Sequence, residues 1–157
     1  MTDVLTPKQR SYAMSQIRGK DTKPELVLRK SLHALGFRYG LHSSNLPGKP
    51  DLVFRRYGAV CFVNGCFWHR HSGCRYMTTP ANRQEFWEAK FDANVARDRR
   101  DQSRLMDTGW RVAVIWECQL KRHQLPDTVH QLSRWITAGS ISDREEPWSP
   151  RSVNASL

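Results

Sequence analysis

The feature that most restricts what this chain can fold into is a run of metal-binding side chains. Cys66, His69, His71 and Cys74 lie within nine positions, and Cys118 follows the apolar stretch at 112–116. Zinc in a structural site takes four thiolate or imidazole donors in a tetrahedron. Cys66, His71, Cys74 and Cys118 supply a Cys₃His set, three ligands from one irregular loop and the fourth from a strand end. His69 competes with His71 for the imidazole position. Such a site ties a loop to a sheet without a large core beneath it. The competing reading is three ordinary buried cysteines and a surface histidine. Cys61, mid-strand among apolar neighbours, reads as core.

The chain has 157 residues and a formal net charge of +10. That length fits one domain with a real core. A basic surplus of this size points to a polyanionic partner, with DNA or RNA the commonest, although a basic protein without a nucleic-acid role would carry the same charge. The longest apolar runs, 59–63 and 112–116, fall far short of the ~20 residues a helical membrane span needs. Residues 1–10 are polar and carry no signal core, so the expected location is the cytoplasm, where cysteines serve metals more than disulfides.

Residues 1–20 form a polar, basic arm that packs on the domain or orders on a partner. Thr22 and Glu25 have capping-box spacing, with Pro24 in the first helical turn. Leu28, Leu32 and Leu35 follow at helical spacing, and Gly36 is a natural stop. Strands are expected at 37–41, 51–54, 59–63 and 110–116, the middle two as a hairpin. Residues 65–79 are irregular. A long helix covers 82–106, and a last one about 127–135 with Pro126 before it. From 138 onward the composition suggests a mobile tail. The order implies an α/β sandwich with a mixed central sheet, divided into an arm at 1–20, a domain at 21–137 and a tail at 138–157.

Pro50-Asp51 opens a strand after a tight turn, and the partner strand ends at Val63-Asn64. A carboxylate placed there can share a magnesium ion with groups at the neighbouring strand end. This is the layout of the restriction-type nuclease core, but the usual acidic-x-Lys element is absent, and a turn Asp capping a strand explains Asp51 as well. If His71 binds zinc, His69 is free to relay a proton. The capping box fully accounts for Glu25. Phe67, Trp68 and Trp87 suit stacking on bases or core packing equally; Phe86 is assigned to the core. Arg97, Arg99, Arg100 and Arg104 alternate with Asp92, Asp98 and Asp101, which a solvated ion-paired helix face explains. Lys90 and Asn94 share a helix face from which they can reach base edges.

Gly65-Cys66-Phe67-Trp68-His69-Arg70-His71, then Asn94-Val95-Ala96-Arg97-Asp98-Arg99-Arg100-Asp101, and Gly109-Trp110-Arg111-Val112 through Trp116-Glu117-Cys118 closely resemble the very-short-patch-repair (Vsr) mismatch endonucleases. The resemblance runs from about Arg10 to Trp135. It implies a restriction-endonuclease-like three-layer fold with a structural zinc. It also implies an enzyme that nicks DNA 5′ of the thymine of a T·G mismatch, the lesion left by 5-methylcytosine deamination. By motif position, Asp51 and the Val63 carbonyl match the magnesium ligands, His69 the catalytic histidine and Glu25 a further active-site acid. Cys66, His71, Cys74 and Cys118 match the zinc ligands. Phe67, Trp68 and Trp87 match intercalating aromatics, Met14 and Ile17 the minor-groove arm, and Lys90 and Asn94 the mismatch readers.

Three departures stand out. Val63 replaces a Thr, Asn64 replaces a His, and His71-Ser72-Gly73-Cys74 is one residue longer than the expected His-x-Cys. The expected partners are mismatched duplex DNA and mismatch-repair proteins, with the enzyme a monomer at the bacterial nucleoid. A zinc-containing DNA-binding module without catalysis is the alternative, and a restriction enzyme cutting both strands is a third reading.

Overall fold

The computed structural model describes residues 6–9, 21–139 and 146–151. Met14 and Ile17 lie outside them. The main elements are α1 (Lys23–Ala34), β1 (Gly40–Leu41), β2 (Leu52–Phe54), β3 (Ala59–Asn64), α2 (Gln84–Asp107), β4 (Arg111–Trp116) and α3 (Leu125–Ala138). The strands form one sheet in the order β1-β2-β3-β4, antiparallel except for the β3–β4 pair, which is parallel. The sheet is therefore mixed, as expected.

Strand alternation sorts the apolar residues into two layers. Leu52, Phe54, Ala59, Cys61, Ala113 and Ile115 pack with Leu28 and Leu32 of α1 and Leu132 and Ile136 of α3. Val53, Val60, Phe62 and Val112 face the other way and meet Leu105 of α2. The long parallel crossover from β3 to β4 makes the second layer possible, because α2 lies within it. Among the described residues, no helix is long and apolar enough to cross a membrane.

Several boundaries move for identifiable reasons. Strand β1 is two residues long, and not the five of 37–41, because the Phe37 N–H donates to the Leu32 carbonyl (3.1 Å) and closes α1 instead of a ladder. Leu35 is the C-cap of α1 and is 58% exposed, so only Leu28 and Leu32 anchor that helix. Pro126 lies inside α3, within its first turn, where its missing N–H has no partner to lose. Phe86 is exposed, not core; the helical turn that buries Trp87 and Phe91 turns it outward.

The composition of the segment beyond 138 hides an ordered stretch at 146–151. The Trp148 N–H donates to the Val112 carbonyl (2.8 Å), and the Val114 N–H donates to the Trp148 carbonyl (2.7 Å). Trp148 also stacks on Trp135 at 5.3 Å. These contacts pair the open edge of β4 and leave less of it as a template for other chains.

Arg111 is 2% exposed, the largest side chain so deeply buried. Its guanidinium donates to the carbonyls of Trp135 (2.8 Å) and Ile136 (2.7 Å) and lies 4.5 Å from the Trp135 ring centroid. It satisfies carbonyls at the negative end of α3, where a cation is favoured. Replacing Arg111 with Met should destabilise the fold by about 3 kcal/mol, because it leaves buried carbonyls unpaired. Thermal unfolding should show a Tm lower by roughly 6–12 °C. Arg111→Lys should recover only part of this, because an ammonium lacks the planar fork.

Candidate active site and metal centre

Glu25, Asp51, Val63 and His69 come from four separate parts of the chain and line one cleft of about 910 Å³. The Asp51 carboxylate (Oδ2) accepts the Val63 N–H at 2.7 Å, locking it across the start of β2 and the end of β3. Burial, with the neighbouring charge of Glu25 adding to it, raises the Asp51 pKa to about 7 against the opposing hydrogen bond from Val63. Two carboxylates pressed together out of water disfavour double ionisation, and a cation between them removes that cost.

Glu25 is 3% exposed, and its role exceeds helix capping. Thr22 does cap α1, its Oγ1 accepting the Glu25 N–H at 3.4 Å. The Glu25 carboxylate does not return to the Thr22 backbone to complete the box. It accepts the Asp21 N–H (3.2 Å) and meets Arg29 Nη2 and His42 Nε2, each at 2.8 Å. His42, which follows β1 with φ of 45°, also approaches Asp51 Oδ1 at 3.7 Å. Its N–H donates to the Asp51 carbonyl at 3.3 Å.

His69 is held by Asp98 of α2, with Nδ1 and Oδ2 2.5 Å apart. A carboxylate on Nδ1 fixes the ring and leaves Nε2 to act. Sequence reasoning absorbed Asp98 into a solvated ion-paired face and passed over His42 and Arg29. Asp98 falls one helical turn after Asn94, and Arg29 stands four residues after Glu25 on α1, so helical spacing alone could have flagged both. His42 carried no such signal.

The loop after β3 has few apolar contacts with the sheet and is fastened by side chains. Cys66, His71, Cys74 and Cys118 present ligand atoms all within 4.8 Å of one another, so they can hold a metal ion. Cys118 Sγ and His71 Nδ1 are 3.4 Å apart. A tetrahedral zinc with ordinary bond lengths separates sulfur and nitrogen ligands by about 3.6 Å. The donor set fits, and the extra residue before Cys74 is absorbed by Gly73 at φ of 76°. Burial, and then crowding by the neighbouring cysteines, pushes the Cys118 thiol well above its usual value; burial likewise raises Cys66. Thiols this crowded need a cation to become ligands together. Burial lowers the His71 pKa, which favours the neutral, ligating imidazole. That ring stacks on Trp116 at 4.3 Å. The geometry thus divides the two histidines, His71 with the cysteines and His69 with Asp98.

Phe67, Trp68 and Trp87 pack on one another, with ring centroids 5.1–6.0 Å apart. Trp87 is 6% exposed, so the cluster is partly closed in the free protein. Lys90, itself exposed, places its ammonium 5.3 Å from the Trp68 ring. Asn94 lines the cleft and donates its amide to the Trp68 carbonyl at 3.3 Å.

A three-layer domain with a mixed sheet, a carboxylate pair at one sheet end and a Cys/His cluster beside it has the architecture of a restriction-endonuclease-like nuclease. The catalytic domain of homing endonuclease I-Bth0305I shares the fold, with a TM-score of 0.52 at 21% identity over 76% of this chain and all of that one. The family model of the DNA mismatch endonuclease Vsr matches residues 2–75. Type II nicking enzyme V.XorIIP of Xanthomonas oryzae pv. oryzae is 50% identical over 76% of this chain and 88% of its own length. DNA mismatch endonuclease Vsr of Escherichia coli K12 is 43% identical over 90% and 92%. The chain belongs to the Vsr family of DNA endonucleases.

The division of the histidines can be checked on purified protein by elemental analysis. His71→Ala should abolish most zinc binding, whereas His69→Ala should leave about one ion per chain, since of the two only His71 lies in the Cys/His cluster.

Proposed function

We propose that this protein nicks one strand of duplex DNA on the 5′ side of the thymine in a T·G mispair, in a magnesium-dependent hydrolysis. The observation that carries this reading is the meeting of Glu25, Asp51 and the Asp98-held His69 in one cleft beside the Phe67–Trp68–Trp87 cluster. Membership of a DNA endonuclease family supports the hydrolysis. The Escherichia coli relative is a DNA mismatch endonuclease, which supports a mispaired duplex as the substrate.

Asp51 and the Val63 carbonyl would hold magnesium, which when bound polarises the scissile phosphate and stabilises the leaving oxygen. The remaining work falls to side chains. His69, its Nδ1 engaged by Asp98, presents Nε2 to take a proton from the attacking water. Asn64, 5% exposed, carries an amide that cannot accept a proton at neutral pH, so proton transfer rests on His69. Phe67, Trp68 and Trp87 would rearrange to enter the base stack, which opens at lower cost at a mispair. Lys90 and Asn94 would then face the exposed base edges. Met14 and Ile17 would reach the minor groove from the arm. Cys66, His71, Cys74 and Cys118 would hold a structural zinc that keeps this loop in place. The cleft that joins Glu25, Asp51 and His69 within one chain suits a single-strand cut by a monomer.

Single-turnover assays on matched T·G and T·A duplexes test the proposal. Only the T·G duplex should be nicked, on the thymine strand. Binding of T·G without cleavage under magnesium or manganese would favour a non-catalytic DNA-binding module, and linearisation of perfect duplex would favour a restriction enzyme.

Asp51→Asn should lower the nicking rate at least about a hundred-fold. It should leave Tm unchanged or raise it, because it removes a buried carboxylate that faces Glu25. A large fall in Tm would mean that Asp51 serves the fold.

A further inference from the structure

The turn that leads into Asp51 holds a lysine in a conformation that lysine seldom adopts. Lys49 has φ of 49°, in the left-handed region that disfavours any residue with a Cβ. It also precedes Pro50, and a residue before proline is pushed toward extended backbone. Packing imposes the conformation. The Lys49 N–H donates to the Leu46 carbonyl at 3.1 Å and closes the turn. At Gly48, with φ of 72°, an added Cβ would lie 2.9 Å from the Asp101 Cβ and 3.2 Å from the Phe62 ring. The turn is therefore pressed between α2 and β3. Glycine at position 49 would take up the same backbone without strain, so the fold alone does not call for lysine there. Strain of this kind gathers where binding and chemistry are done.

The charges around the cleft supply a reason for the lysine. Glu25, Asp51, Asp98, Asp101 and Glu117 line it, against two permanent cations, Lys49 and Arg97. A phosphodiester entering such a cleft meets an excess of negative charge. Arg97 is occupied, its Nη2 donating to Asn94 Oδ1 at 2.9 Å. Lys49 is exposed, and its ammonium has no ion pair or hydrogen bond among the described residues. The end of β3 offers no substitute, because Phe62-Val63-Asn64 carries no cation.

We propose that Lys49 is a further catalytic residue of the nicking reaction, its ammonium contacting a non-bridging oxygen of the scissile phosphate seated at Asp51. This rests on the reading of the cleft as the nicking site. The turn delivers the side chain from two residues before Asp51, so the charge and the carboxylate reach the same phosphate from adjoining backbone. An ammonium is a compact charge on a flexible stem, able to follow the oxygen as negative charge builds on it in the transition state. Lysine supplies charge here and moves no proton.

Single-turnover nicking of a T·G duplex at saturating enzyme tests the assignment, with duplex affinity measured separately. Lys49→Met should slow nicking about a hundred-fold, the scale for removing one donor aimed at developing charge. Duplex affinity should fall less than about threefold, since one phosphate contact among many is lost. Lys49→Arg should recover most of the rate. Lys49→Gly should nick as slowly as Lys49→Met with Tm unchanged or higher, because the left-handed strain is gone. A merely structural role would lower Tm and rate together.

Phosphorothioate duplexes locate the contact. Sulfur in place of each non-bridging oxygen of the scissile phosphate should slow the wild type, and for one of the two diastereomers Lys49→Met should abolish that slowing. The proposal is overturned if Lys49→Met keeps pace with the wild type, if its defect lies in affinity alone, or if both sulfur effects persist in it. A wild type that leaves the T·G duplex uncut would overturn the reading of the cleft, and this proposal with it.

Discussion

The meeting of Cys66, His71, Cys74 and Cys118 is the constraint on which the functional half of the molecule depends. The sheet and its two helical layers pack through two apolar clusters, one on each face of the sheet. The loop at 65–79 has no comparable core. Of its residues only Cys66 is fully buried. Three donors from this loop meet one that follows β4, so a metal ion held among them would fasten the loop to the sheet beside the β3–β4 pair. Beside that cluster the loop presents Trp68 over the cleft, Phe67 against Phe91, and His69 against Asp98. Arg70 adds a second tie, donating to the Thr78 carbonyl at 2.8 Å with its guanidinium 4.0 Å from the Phe91 ring centroid.

The opposite wall of the cleft is organised by charge. Glu25 and Asp51 are both largely removed from water, an arrangement that folding alone disfavours. Arg29 and His42 offset part of it from behind, and the Val63 N–H offsets part from the side. The balance leaves Asp51 short of a full complement of positive charge at neutral pH. A hard cation beside such a pair would relieve the conflict, and local conflict with stability of this kind is common where chemistry is done.

Much of this was legible in the sequence, for reasons that differ from element to element. The apolar runs at 59–63 and 112–116 and the heptad-like apolar spacing in α1 gave the sheet and the helix that covers it, because burial imposes a period. Donor chemistry pointed to the Cys/His clamp, although spacing left His69 and His71 as rivals; only the fold separates them, by placing His71 beside Cys118 and His69 beside Asp98. Asp51 stayed ambiguous because its partners lie in other segments, and Glu25 was hidden behind a capping role that is real but incomplete. His42 was missed altogether: its contribution comes from the turn at the end of β1 that brings it against Glu25. Phe86 and the stretch at 146–151 were misassigned because composition cannot tell which side of a helix or which free sheet edge a residue will meet.

The central claim is that a metal-clamped loop delivers His69 to a carboxylate cleft that cuts DNA. The most direct measurement withdraws the clamp metal in steps with a chelator, then restores magnesium and follows T·G nicking beside bound zinc and far-ultraviolet circular dichroism. The account expects nicking to fall in proportion to zinc while the sheet signal persists, since the core does not include the loop's aromatics. A zinc-free chain that stays folded and nicks at the full rate would contradict it.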